Sequence, residues 1–181
     1  MKGALVLLFP GVEEIEAVTP IDLLHRAGLP VQTVSTGEIR TVVGRSGITL
    51  TAENHLDEVY DLLFDLVVIP GGPGIADLRE ENKVRRLIAA HDEAGKWLAA
   101  ICAAPLLLKD AGILRQRSYT AHFTTSEELP HSLKQPVVVS ENLITSAGAG
   151  TALPFARTVV RQVSGTEVEA QVAKAIMADW E

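Results

Sequence analysis

Three uninterrupted apolar runs, each closed by a turn signal, constrain this chain more than any other feature. Ala4-Leu5-Val6-Leu7-Leu8-Phe9 stops at Pro10-Gly11. Leu66-Val67-Val68-Ile69 stops at Pro70-Gly71-Gly72-Pro73-Gly74, and Trp97-Leu98-Ala99-Ala100-Ile101 stops at Cys102. Runs without polar alternation read as strands covered on both faces, which is the condition of a parallel sheet between two layers of helices.

Helical patterns lie between these runs. One helix is expected from about residue 14 to 27, ended by Gly28, and Pro20 either kinks it or opens a second segment behind Thr19. Val84, Leu87, Ile88 and His91 keep the spacing of an amphipathic helix, with Asn82 as its cap and Gly95 as its stop. Residues 103–108 read as another, with Pro105 in its first turn. Residues 147–150 open one that carries Phe155 and Val159 to Gly165. Thr166 and Glu169 have capping-box spacing for a last helix.

Residues 31–34, 119–121, 137–139 and 143–146 read as further strands, and 39–43 with 48–51 as a hairpin or an excursion from the main sheet. This alternation predicts one α/β domain across residues 1–181, with a mostly parallel central sheet. Such sheets bind ligands beyond the carboxyl ends of their strands. Chemistry is therefore sought near residues 9–11, 70–72, 102 and 146–148.

Composition narrows the function classes. With 23 acidic against 16 basic residues, the net charge of -7 argues against nucleic acid or an anionic membrane as a main partner. No apolar run approaches the roughly 18 residues of a membrane span. The first run is short and no small-residue cleavage site follows it, so it reads as a strand and the expected address is cytoplasmic. The lone cysteine forbids an intrachain disulfide.

Cys102 is the sharpest chemical signal. It stands where a buried strand turns into a helix, an elbow that lifts a side chain above the sheet. A helix N-terminus beside the sulfur favours thiolate, the nucleophilic form. A lone cysteine elsewhere would read as a small buried hydrophobe; the elbow reverses that weighting. Glu16, near Glu13 and Glu14, is a candidate acid, with at most one of the three expected to face inward. A buried carboxyl there would hold a proton and hydrogen-bond the sulfur. Spacing alone does not separate Glu16 from Glu13. His122 reaches the same rim, as a base or as an ordinary rim histidine. Gly71 and Gly72 offer backbone N–H groups to an oxyanion or simply make a tight turn. No HExxH, CxxC, phosphate-loop or complete dinucleotide pattern occurs, so neither zinc nor a nucleotide is expected.

Together these residues resemble the ThiJ/PfpI superfamily, and most closely its parkinsonism-associated deglycase branch with its bacterial relatives. Gly11-Val12-Glu13-Glu14-Ile15-Glu16-Ala17-Val18 resembles the family's first loop and helix, and Val68-Ile69-Pro70-Gly71-Gly72 its glycine turn. Ala99-Ala100-Ile101-Cys102-Ala103-Ala104-Pro105 resembles its cysteine elbow, and the stretch from Thr145 to Thr151 its last loop. The resemblance covers nearly the whole chain. It implies a flavodoxin-like three-layer sandwich, of the class I glutamine amidotransferase type, in a homodimer. It makes Cys102 the nucleophile and redox-sensitive thiol, Glu16 its buried acid, and His122 a neighbour of the cysteine. The backbone at Gly72 and Ala103 matches the family's oxyanion-binding turn. The implied activities need no cofactor: conversion of methylglyoxal or glyoxal to hydroxy acids, repair of early glycation adducts on proteins, and oxidative-stress protection or chaperoning. Ala103 replaces the histidine of protease-like members, Thr51 replaces a second cysteine, and Ala147 and Ala149 replace bulkier residues of the last loop.

Overall fold

The computed structural model describes residues 3–178. The first run forms β1 (Ala4–Leu8), buried along its whole length. Helix α1 (Glu14–Arg26) follows and is continuous through Pro20. Pro20 has no N–H to give the Glu16 carbonyl, so one helical bond is missing there. The helix ends at Arg26 with Ala27 as its cap, and Gly28, with φ +74°, lets the chain turn back toward β2 (Val31–Ser35).

Strands β3 (Thr41–Val43) and β4 (Thr49–Thr51) pair antiparallel as a hairpin apart from the main sheet, which decides between the two readings of that segment. A two-residue strand, β5 (Asn54–His55), lies at the sheet edge beside β2 and was not legible in the sequence. Then come β6 (Leu66–Ile69), a short helix α2 (Ile75–Leu78) and α3 (Asn82–Glu93). Asn82 is the first residue of α3 and not its cap; Glu81 occupies that position without a side-chain bond. After β7 (Trp97–Ile101), α4 (Pro105–Asp110) begins with Pro105.

Strands β8 (Val137–Ser140) and β9 (Leu143–Ser146) pair antiparallel. Helices α5 (Ala152–Ser164) and α6 (Thr166–Ala175) complete the described chain. Thr166 does not cap α6, because it is already inside the helix and Gly165 holds the cap position. Glu169 turns instead to Arg157 of α5, at 2.5 Å, and ties the two helices together. Residues 119–121 form no strand. Two of their N–H groups go to side chains, Thr120 to Thr145 Oγ1 at 2.9 Å and Ala121 to Ser132 Oγ at 2.8 Å.

The main sheet has the order β5-β2-β1-β6-β7-β9-β8 and is parallel except for the β8–β9 pair. Alternate residues serve opposite faces. Leu5, Leu7, Val67, Ile69 and Leu98 join one core with Leu87 and Ile88 of α3. Ala4, Val6, Leu66, Val68 and Ala99 join the other with Leu24 of α1 and Phe155 and Val159 of α5. Helices on both faces of the sheet make the three layers. Chain direction across the sheet reverses at β1, whose neighbours are β2 and β6. The loops leaving β1 and β6 therefore diverge and open a crevice at their carboxyl ends. No helix among the described residues is long and apolar enough to cross a membrane.

Candidate active site

Cys102 sits at the carboxyl end of β7 with φ +65°, a left-handed conformation that side chains rarely adopt. The elbow is braced on both sides. The Cys102 N–H donates to the Ser146 carbonyl at 2.9 Å, and the His122 N–H donates to the Cys102 carbonyl at 2.8 Å. Neighbouring strand and loop thus hold a backbone geometry that the residue itself disfavours. The sulfur is half-buried and opens on a cleft of about 440 Å³, lined by Gly72, Ala103, Leu106, His122 and Arg45 among others.

All three acids of the first loop are buried, against the expectation of one, and each has its own partner. Glu13 accepts the Glu16 N–H at 2.8 Å and caps α1. Glu14 accepts the Ser46 N–H at 2.8 Å from the β3–β4 turn. Glu16 is completely buried, and its Oε2 accepts the Gly71 N–H at 2.8 Å. Its Oε1 makes no well-formed hydrogen bond among the described residues, while the Cys102 side chain is the neighbour that couples to the carboxyl.

Burial dominates the electrostatics of this pair. It pushes the Glu16 carboxyl up to about 7, against the pull of the Gly71 N–H and the Cys102 side chain. Burial, and then the Glu16 charge, push the Cys102 thiol up to about 12, while the N–H groups of Ala103 and Gly72 pull it down. The two groups share one proton over the intervening range, and the pair titrates as a unit. The anticipated helix N-terminus is weak here, since α4 spans six residues and starts three beyond the sulfur.

Gly71 does not serve an oxyanion, because its N–H is engaged by Glu16. The N–H groups directed at the sulfur belong to Gly72 and Ala103. Gly72 has φ +117°, and a Cβ there would strike the Glu13 nitrogen at 2.7 Å, so only glycine fits. His122 lines the cleft without bonding the sulfur. Its Nδ1 lies 2.8 Å from Thr124 Oγ1, and its ring leans on Phe123. Arg45 and Thr124 were missed from sequence, since nothing in a hairpin turn or a rim loop signals a shared cleft. Among the described residues, no group of three or more His, Cys, Asp and Glu is placed to hold a metal ion.

The DJ-1/PfpI family profile matches residues 2–162. The chain belongs to the DJ-1/PfpI family. It is 34% identical to Protein dj-1beta of Drosophila melanogaster over 99% of this chain and 98% of that protein. The crystal structure of Drosophila DJ-1beta superposes with a TM-score of 0.93 at 33% identity, covering 99% of each chain. Two further DJ-1 relatives are named glutathione-independent glyoxalases. One, DJR-1.2 of Caenorhabditis elegans, is 35% identical over 92% of this chain and 91% of its own length. The other, DJ-1 of Schizosaccharomyces pombe, is 31% identical over 92% of this chain and 93% of its own length.

Proposed function

We propose that this chain converts small α-oxoaldehydes such as methylglyoxal and glyoxal to hydroxy acids at Cys102, without glutathione or a cofactor. The observation that carries this reading is the buried Glu16 carboxyl coupled to a thiol on a strained elbow at the floor of a cleft. The names of the two glyoxalase relatives support it.

Ionised Glu16 takes the thiol proton as Sγ adds to the aldehyde carbon. The C–S bond forms, the carbonyl π electrons move to oxygen, and the N–H groups of Gly72 and Ala103 stabilise the charge. Protonation gives a hemithioacetal. The proton on that carbon then moves to the adjacent ketone carbon through an enediol, with Glu16 as carrier and His122 at the cleft wall. The first carbon is thereby oxidised to a thioester and the second reduced to an alcohol. Water cleaves the thioester, releasing the hydroxy acid and restoring the thiol. The same attack on an early adduct of the aldehyde with a protein amine would begin repair. We place the reaction in a cytoplasmic homodimer, with exposed Ile15 and Val18 of α1 as its contact surface.

Lactate formation from methylglyoxal tests the reading. Cys102→Ser is expected to abolish it, and undiminished turnover in that variant overturns the mechanism. The half-exposed sulfur with the Glu16 carboxyl as its neighbour also supports a second reading, a stress sensor or chaperone oxidised to the sulfinate. Addition of two oxygens at Cys102 under mild peroxide, with no α-oxoaldehyde consumed, selects that alternative.

A further inference from the structure

Two arginines reach the cleft, and they differ in what they have left to offer. Arg79 is committed to acids, with Nε 2.6 Å from Asp110 Oδ2 and Nη1 2.7 Å from Glu128 Oε1. Arg45 is exposed and lines the same cleft, and among the described residues it forms no ion pair. Its charge acts on Glu16, so it lies within electrostatic reach of the reacting pair.

Arg45 is also held in place. It sits in the turn between β3 and β4, which is tied to the start of α1 at several points. The Arg45 N–H donates to the Val12 carbonyl at 2.9 Å, and the Gly11 N–H donates to the Val43 carbonyl at 2.8 Å. Glu14 Oε1 accepts the Ser46 N–H at 2.8 Å and the Ile48 N–H at 3.4 Å. Gly44 gives that carboxylate room, since a Cβ there would overlap it. A buried acid thus fixes a turn whose cation points at the cleft. An opposing charge in the same lining is the exposed Glu127.

We propose that Arg45 binds a carboxylate carried by the substrate, on a turn positioned by Glu14, so that acid-bearing α-oxoaldehydes are preferred over neutral ones. The substrate class rests on the glyoxalase reading, but anion recognition beside the thiol does not. A guanidinium matches a carboxylate with two parallel N–H bonds and stays charged throughout the working pH range.

The test uses two alkylating agents that differ in charge. Iodoacetate and iodoacetamide each form a C–S bond at Cys102 and release iodide, with the thiol proton passing to Glu16 or solvent. Arg45→Met is expected to lower the iodoacetate-to-iodoacetamide rate ratio at least fivefold, and Glu127→Gln to raise it. In turnover, Arg45→Met is expected to lower the kcat/KM ratio of dioxovalerate over methylglyoxal about tenfold, through KM. Glu14→Ala should reproduce both losses, and Glu14→Gln should retain function because its amide oxygen accepts the same N–H groups. An alkylation ratio within twofold of wild type in Arg45→Met overturns the proposal, even if methylglyoxal is turned over. A lowered alkylation ratio with no turnover of either aldehyde supports anion recognition and removes the glyoxalase reading instead. An unchanged ratio in Glu14→Ala overturns the positioning role.

Discussion

Gly71 and Cys102 meet where no side chain fits: a Cβ on Gly71 would stand 2.6 Å from the Cys102 Cβ and 2.7 Å from Glu16 Oε2. The same residue donates its N–H to Glu16 at 2.8 Å. One glycine therefore both spaces the acid from the thiol and orients it. Gly71→Ala is expected to cost about 1–3 kcal/mol in chemical denaturation, the usual penalty of overpacking. Lactate formation should fall at least a hundredfold. Retained turnover would show that the spacing has no catalytic role.

Stability should fall as pH rises through the range where Glu16 ionises. Its folded value of about 7 lies above the ordinary 4.5, so the folded state holds a proton that the unfolded chain has released. The stabilisation is complete below 4.5 and is lost as pH climbs through 7. Its size is on the order of 3 kcal/mol. Glu16→Gln, a permanent mimic of the protonated acid, should flatten this slope in urea unfolding between pH 5 and pH 8.

Reactivity should move the other way over the same range. Ionised Glu16 is the base for the thiol, so wild-type alkylation by iodoacetamide is expected to rise through an apparent midpoint near 7. In Glu16→Gln that step should vanish, leaving a thiol that ionises only well above neutrality. A midpoint unmoved by the substitution would remove Glu16 from proton transfer.

His122 lines the cleft but bonds through its ring to Thr124, not to the sulfur. At the cleft wall the imidazole can assist proton transfer, so His122→Asn should lower kcat for methylglyoxal about a hundredfold, the low end of lost acid–base assistance. The pH midpoint of Cys102 alkylation should stay in place. A shifted midpoint would mean that the imidazole joins the thiol–acid pair.

Buried His91 offers a check remote from the cleft. Its Nε2 accepts the Phe64 N–H at 3.0 Å, and its Nδ1 lies 2.7 Å from the Leu87 carbonyl. Burial lowers its pKa, so the unfolded chain takes up the proton first and stability is lost as pH falls below about 6.5. His91→Leu leaves the Phe64 N–H without an acceptor and should cost about 1–3 kcal/mol at pH 7. It should also remove the histidine's share of the acid-side loss.

The alternation of apolar runs with helical patterns was enough to place β1, β6 and β7 and helices α1, α3 and α4, because both faces of those strands are buried and no polar residue interrupts them. It also placed Cys102 at the elbow, since a run that ends where a helix begins leaves few alternatives. The segment 119–121 misled for a physical reason: its residue types suit a strand, but hydroxyls of Thr145 and Ser132 take the N–H groups of Thr120 and Ala121 in place of a ladder. The Thr166–Glu169 spacing misled because Arg157, distant in pattern but adjacent in space, offered Glu169 a charged partner.

By itself the sequence determined the layered sheet, the crevice at the strands' carboxyl ends and the sulfur placed there, because these follow from local periodicity and turn chemistry. Only the tertiary structure decided what Glu13, Glu14 and Glu16 each do. Successive positions on a helix differ by about 100° around its axis, and packing against the glycine turn and the hairpin selects which carboxylate meets which donor. It also raised the proton affinity of both Glu16 and Cys102, because burial encloses the pair from every side and no stretch of sequence contains that enclosure.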